Sequence, residues 1–143
     1  FEAERRRRLE AMLGETLPPT PSTGELAALS WLAESLTRAR TLEAFAARVL
    51  PLDFDVLLSD LPATMDRVLA HLGIAAPPGF AAAIARSPVL TRYSKAPEQY
   101  SYSPAMRAEL LAQARWEHAQ ELRRGLQFIE RHAARHPRVA ALL

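Results

Sequence analysis

The residue types best suited to chemistry are concentrated in one polar segment, residues 87–103. It holds the only lysine of the chain and all three tyrosines. Four adjacent side chains there can bind a phosphate or sulfuryl oxygen or stack on a planar ring: Arg92, Tyr93, Ser94 and Lys95. The segment is equally explained as an ordered surface loop whose tyrosines pack on a helix. The residues alone leave both interpretations open.

Two other groups of side chains have spacings that suit a ligand. His132 and His136 lie one helical turn apart, but both fall at the basic end of the last predicted helix, where histidine interacts favourably with the helix dipole. No third ligand is evident from the sequence, so we expect no metal site. Asp53 and Asp55 would share one face of an extended strand and could bind a cation or act as a base; capping and turn roles also explain them.

The composition excludes several classes of protein. The chain has 143 residues and no cysteine, so disulfide scaffolds and cysteine nucleophiles are excluded. The net charge is only +2, and acidic residues flank the run Arg5 to Arg8 and are interleaved with the arginines of the final helix, so we expect no nucleic-acid partner. No apolar run reaches the roughly 20 residues of a membrane span, and no signal peptide is evident, so we expect no membrane partner and a cytoplasmic location. Because the first residue is Phe1, we expect a processed or truncated piece of a longer protein.

These side chains must be positioned mainly by helices, because alanine and leucine are abundant and glycine is scarce. We predict a mainly α chain with about five to six helices and at most one or two short strands. The parts of this single helical unit, residues 1–143, are N-terminal helices over 1–48, a strand, turn and helix over 49–74, a lid-like loop over 87–103, and one long helix over 104–136. The first helix is predicted over 2–13, and Ser22 or Thr23 is predicted to cap the second.

Two of these predicted elements do not fit a complete small domain. Residues 49–54 form a lone strand, which is not stable without a sheet to join. The last helix carries an apolar stripe that includes Met106, Leu122, Leu126 and Ile129. At its predicted length it spans roughly 45–50 Å, longer than a compact globule of this size. We therefore expect residues 1–143 to be a fragment of a larger domain.

Three stretches resemble the C-terminal portion of bacterial P-loop sulfotransferases, which use 3′-phosphoadenosine-5′-phosphosulfate (PAPS). The first is Val49 to Asp60 with the helix that ends in His71-Leu72-Gly73, which looks like the late strand of the family and the elements after it. The second is Arg92-Tyr93-Ser94-Lys95-Ala96-Pro97-Glu98 with the tyrosines that follow. The third is the final helix with Trp116, His118, Glu121 and Gly125. The sequence departs from the family pattern at Phe54, Val56 and Leu61, and it contains no phosphosulfate-binding loop.

This resemblance implies the C-terminal part of an α/β P-loop sulfotransferase fold. The parent enzyme would transfer a sulfuryl group from PAPS to a hydroxyl or amine of a small-molecule or peptide acceptor. Arg92, Tyr93, Ser94 and Lys95 would contact PAPS or its product PAP, and the catalytic base remains unassigned. The missing N-terminal part, or a partner chain, would pack on residues 49–54 and the long helix, and this chain alone would be inactive. The alternative is a non-catalytic helical protein-interaction module derived from that family.

Overall fold

The computed structural model describes residues 2–92 and 102–143, and these residues are mainly helical. They divide into two compact units, residues 1–46 with 113–143 and residues 47–112. The prediction of a mainly α chain is confirmed, although the described residues contain eight α-helices rather than five or six, and none of them forms a strand. Two compact units can be parts of one domain, so membership of a larger domain stays a prediction.

The first unit is built on two long helices that pack against each other. Its helices are α1 (Glu2–Leu13), α2 (Thr23–Phe45), α7 (Ala119–Ala133) and α8 (Pro137–Ala140). A 3₁₀ turn follows α2 at Ala46–Arg48. The main contact is between α2 and α7, and α1 packs on α2. The core consists of apolar side chains from all four helices and from the segment after α1: Leu9, Leu17, Ala28, Leu29, Leu32, Ala33, Leu36, Phe128, Ile129 and Val139.

The start of α2 is fixed by a capping box, as the sequence predicted for Ser22 or Thr23. The Ser22 hydroxyl accepts from the backbone N–H of Glu25 at 3.2 Å, and the Glu25 carboxylate accepts from the backbone N–H of Ser22 at 3.0 Å. Two backbone donors that have no partner inside the helix are thereby satisfied. The backbone hydrogen bond from Ser22, chiefly, lowers the pKa of Glu25, which also pairs with Arg131 at 2.9 Å.

Two glycines let the backbones of α2 and α7 come together. A Cβ atom on Gly24 would overlap the backbone carbonyl oxygen of Glu121, and one on Gly125 would lie 2.7 Å from the carbonyl oxygen of Gly24. The Glu121 carboxylate also accepts from the backbone N–H of Gly24 at 2.8 Å, and this bond is the main reason for its lowered pKa. The crossing therefore depends on the missing side chains of both glycines.

The second unit has short helices and almost no buried core. Its helices are α3 (Phe54–Ser59), α4 (Leu61–Leu72), α5 (Phe80–Ala85) and the first part of α6 (Pro104–Glu117), with a 3₁₀ turn at Pro88–Thr91. Among its described residues only Thr64 and Ala81 are buried. A domain of about 60 residues ordinarily buries some 60% of the surface of its unfolded chain. The helices of this unit thus leave much apolar surface uncovered.

The predicted strand over residues 49–54 is wrong. Residues 49–53 have no regular structure, and α3 begins at Phe54. The Asp53 carboxylate accepts from the backbone N–H groups of Asp55 and Val56 at 2.8 and 2.9 Å, so it caps a helix at the point where the strand was expected to end. Pro51 has no N–H to donate to a neighbouring strand, and the described residues contain no strand with which this segment could pair.

The single helix predicted over 104–136 is also wrong. It is broken at His118, whose φ of −108° and ψ of 20° depart from helical values, and α7 ends at Ala133. Most of the predicted apolar stripe fails for the same reason: α6 has no buried residue, and Leu122 and Leu126 are exposed, whereas Ile129 is buried as predicted. The buried face of α7 consists of Gly125, Phe128, Ile129 and His132. Packing against α2 selects this face.

Within the part of the chain that the structure describes, no helix combines the length and the apolar character needed to cross a membrane.

Candidate functional site

The second unit contains an apolar groove with a volume of about 920 Å³. Its walls come from α3, the start of α4, the 3₁₀ turn and the first part of α6. The side chains that give it its apolar character include Phe54, Leu57, Leu61, Val89, Leu90 and Leu110. Its size is in the range of small-molecule sites, which are typically apolar clefts with a few polar groups.

Each wall of the groove begins at a polar residue that caps its first turn. Every one of these side chains accepts a hydrogen bond from a backbone N–H two or three residues later: Asp53 at α3, Asp60 at α4, Ser87 at the 3₁₀ turn and Ser103 at α6. Proline follows directly after Ser87 and Ser103, and comes two residues after Asp60, where the missing N–H is not needed. The sequence therefore specifies where each wall starts.

The polar groups of the groove include the two residues that flank the segment 93–101. Arg92 and Tyr102 both line the groove, and the backbone N–H of Tyr102 donates to the carbonyl oxygen of Thr91 at 2.8 Å. The Tyr102 hydroxyl is buried and has no hydrogen-bond partner within residues 2–92 and 102–143. A buried polar group without a partner is destabilising by about 1–3 kcal/mol, so this hydroxyl favours a ligand that supplies one.

Two arginines line the groove, and they differ in how their charge is balanced. Arg107 donates to the Asp55 carboxylate at 2.8 Å, and its guanidinium lies 5.3 Å from the centre of the Phe54 ring. Arg92 forms no ion pair with any residue of 2–92 or 102–143. Of the two, Arg92 is the one whose charge is available to an anionic group on a ligand.

The residues predicted to form a site are only partly accounted for. Arg92 lies at the groove, whereas Tyr93, Ser94 and Lys95 lie outside the described residues, and their predicted roles stay predictions. Asp53 and Asp55 do not face one side of a strand. Asp53 caps α3 and Asp55 pairs with Arg107, so the capping interpretation holds for Asp53.

Sequence reasoning missed two residues of this groove, Phe54 and Arg107. Phe54 was assigned to a strand, although Asp53 directly before it is a typical helix cap. Arg107 lies 52 residues from its partner Asp55, and no local pattern connects residues so far apart.

No family model, curated protein or solved structure matches the chain.

Proposed function

We propose that the groove binds a ligand with a flat apolar body and a polar or anionic group, and that it does so as the acceptor side of a PAPS-dependent sulfotransferase of which this chain is the C-terminal segment. The observation that carries the proposal is the buried Tyr102 hydroxyl, which has no hydrogen-bond partner among the described residues, in an apolar groove that also contains Arg92. The sulfotransferase part rests on the motif resemblance of residues 49–60 and 92–98.

Each group in the groove has a task in this proposal. The apolar walls hold the body of the acceptor, and the Tyr102 hydroxyl pairs with its hydroxyl or amine. The Arg92 guanidinium faces the negative charge that spreads over the sulfuryl oxygens during transfer, which is the usual way in which positive groups lower the barrier of such reactions. Ser94 and Lys95, together with Arg92, would cover the nucleotide phosphates of PAPS, and Tyr93 would contact the adenine or the acceptor.

The uncovered apolar surface of the second unit supports the expectation of a further chain segment or partner. Phe54 is 53% exposed, and Val56 and Leu52 are exposed as well. These residues lie in and beside the segment on which the missing N-terminal part or a partner chain would pack. In this proposal the present chain is inactive alone and works in the cytoplasm.

The groove is tested with 1-anilinonaphthalene-8-sulfonate, a fluorescent probe with a flat apolar body and one sulfonate. We expect saturable binding that weakens about tenfold in Arg92→Gln, because a charge-assisted hydrogen bond contributes roughly 1.5–3 kcal/mol. Arg67→Gln is the matched control, since Arg67 is exposed on α4 and does not line the groove. Equal binding by both variants would refute the assignment of Arg92.

The hydroxyl is tested separately with Tyr102→Phe and the neutral ligand 2-naphthol. We expect the variant to bind 2-naphthol more weakly, because its hydroxyl loses a partner. The ligand-free variant is expected to be no less stable than the wild type, because the change removes an unsatisfied buried group. Near-UV circular dichroism of each variant confirms intact packing, since loosely packed states also bind the sulfonate probe. A less stable variant with unchanged 2-naphthol affinity would contradict this role of Tyr102.

The sulfotransferase assignment is tested by calorimetry with PAP. PAP binding that is lost in Lys95→Ala supports the assignment. If the chain binds the fluorescent probe but not PAP, the groove is still a ligand site, but the assignment of PAPS as its nucleotide is wrong.

The non-catalytic interaction module is the second candidate. It is favoured by Trp116, which is 82% exposed, and by the exposed Leu122 and Leu126 on α7. Tight binding of PAP by this chain would count against it.

A further inference from the structure

Three side chains from separate segments of the first unit converge on one point. Glu15 follows α1, His132 lies in the last turn of α7, and His136 directly precedes α8. The Glu15 Oε1 atom lies 2.6 Å from His132 Nδ1, and Glu15 Oε2 lies 3.5 Å from His136 Nε2. One ligand atom from each residue lies within 4.8 Å of the other two.

The nitrogen of His136 is not satisfied by this arrangement. His136 Nε2 is shielded from solvent and has no hydrogen-bond partner in the described part of the chain, although Glu15 Oε2 lies 3.5 Å away. A buried ring nitrogen without a partner is destabilising, and a metal ion is one of the partners that a neutral imidazole accepts. The His132 ring is itself buried, so a ligand bound there would be shielded from solvent on that side.

The same contacts also allow a simpler interpretation. Glu15 also accepts from Arg135 Nη2 at 3.1 Å, and the same Nη2 atom lies 3.3 Å from His132 Nδ1. An ion-pair cluster without metal would hold the segment after α1 against α7. However, Arg135 does not supply a partner for His136 Nε2. The Arg135 side chain is 58% exposed and can turn into solvent.

We propose that Glu15, His132 and His136 form a binding site for a divalent transition-metal ion of the zinc class. Two imidazole nitrogens and one carboxylate oxygen suit Zn²⁺, Co²⁺ or Ni²⁺ rather than Mg²⁺ or Ca²⁺, which prefer oxygen ligands throughout. Three protein ligands leave a fourth position for water or another small ligand.

The required movement is small. Ligand atoms around a tetrahedral zinc ion are about 3.3 Å apart when each bond is about 2.0–2.1 Å long. Glu15 Oε2 already lies 3.5 Å from His136 Nε2, whereas the contact of 2.6 Å between His132 Nδ1 and the other carboxylate oxygen, Glu15 Oε1, must lengthen. This lengthening follows when the metal replaces the proton between the two atoms, and Arg135 then leaves the carboxylate.

The sequence predicts no metal site, because it shows no third ligand beside His132 and His136. Glu15 lies 117 residues before His132 in the chain, in a segment that the sequence marks only as following Gly14. Packing of α1 and α7 on α2 brings it to the histidines. The third ligand is therefore a product of the fold.

The proposal is tested by titrating the purified chain with Zn²⁺ in a calorimeter and with Co²⁺ in a spectrophotometer. We expect one equivalent to bind, intense d–d absorption from Co²⁺ in a four-coordinate site, and a thermal midpoint that rises with Zn²⁺ concentration. Glu15→Gln and His136→Gln are expected to weaken binding at least tenfold. His118→Gln is the control, because His118 is exposed and remote from the cluster in sequence.

Arg135→Gln separates the metal site from a plain ion-pair cluster. Removing a cation that competes for Glu15 is expected to strengthen Zn²⁺ binding several-fold, whereas a plain cluster gains no metal affinity. Absence of any Zn²⁺-dependent rise in the midpoint of the wild type overturns the proposal without reference to a variant. Binding that persists unchanged in His136→Gln, or is lost equally in His118→Gln, also overturns it.

Discussion

Gly125→Ala is expected to destabilise the chain, although the same change in the middle of an ordinary helix is stabilising. The added Cβ atom would lie 2.7 Å from the carbonyl oxygen of Gly24, whereas ordinary contact begins at 3.4 Å. The helices must therefore separate by about 0.7 Å, since the obstacle is backbone and cannot change rotamer.

The expected magnitude follows from two opposing effects. Overpacking of a tight contact is destabilising by about 1–3 kcal/mol, and replacing a helical glycine by alanine is stabilising by about 1 kcal/mol. With overpacking of about 2–3 kcal/mol, the upper part of this range, the net loss in the free energy of unfolding is about 1–2 kcal/mol. Such a loss lowers the thermal midpoint by several degrees for a chain of this size. Gly24→Ala is expected to lose more, because its Cβ would overlap the Glu121 carbonyl oxygen.

Urea denaturation followed by circular dichroism measures both variants and the double variant. The double variant is expected to lose less than the sum of the two, because one separation of α2 and α7 relieves both contacts. Gln127→Ala on the exposed side of α7 is the control. A Gly125→Ala protein that is more stable than the wild type would refute the close crossing.

Two further predictions concern the same unit. Phe128→Ala is expected to reduce the free energy of unfolding by about 3–5 kcal/mol, because the Phe128 side chain is 1% exposed and its removal leaves a cavity. Phe54→Ala is the control and is expected to lose far less, because Phe54 is exposed. Equal losses in the two variants would contradict this core. The pKa of Glu25 is lower in the folded chain than in the unfolded chain, so its stabilisation is present above the ordinary value of 4.5 and is lost as the pH falls through the lowered value. Urea denaturation at pH 7 and pH 3 should show this loss in the wild type and less of it in Glu25→Gln, and an unchanged difference would exclude Glu25 as the cause.

Local signals in the sequence predicted the helices better than their packing. The first helix over 2–13, the cap at Ser22 and the start of the last region at Ser103 and Pro104 all agree with the structure. Each depends on a few adjacent residues, such as a side-chain oxygen that accepts from the first turn. Caps of this kind are specified within three or four positions of the chain.

The strand predicted over 49–54 overlooked a local cap, Asp53, whereas the other failures involve contacts between distant residues. The buried face of α7 is displaced from the predicted stripe because Gly24 and Gly125 fix how α7 meets α2, and a glycine contributes nothing to an apolar pattern. For the same reason the sequence did not connect Arg107 with Asp55, or Glu15 with the histidine pair. Their partners lie 52 and 117 or more residues away, and one sequence gives no measure of such proximity.

Few of the described residues of the second unit are buried, and this has a consequence for the way the chain opens. Amide protons of α2 and α7, which hold the core, should exchange with solvent only when the whole first unit unfolds. Those of α3, α4 and α5 have only Thr64 and Ala81 buried among them and should exchange through local openings of low free energy. Filling the groove would slow exchange in these three helices and make the second unit open as one cooperative body.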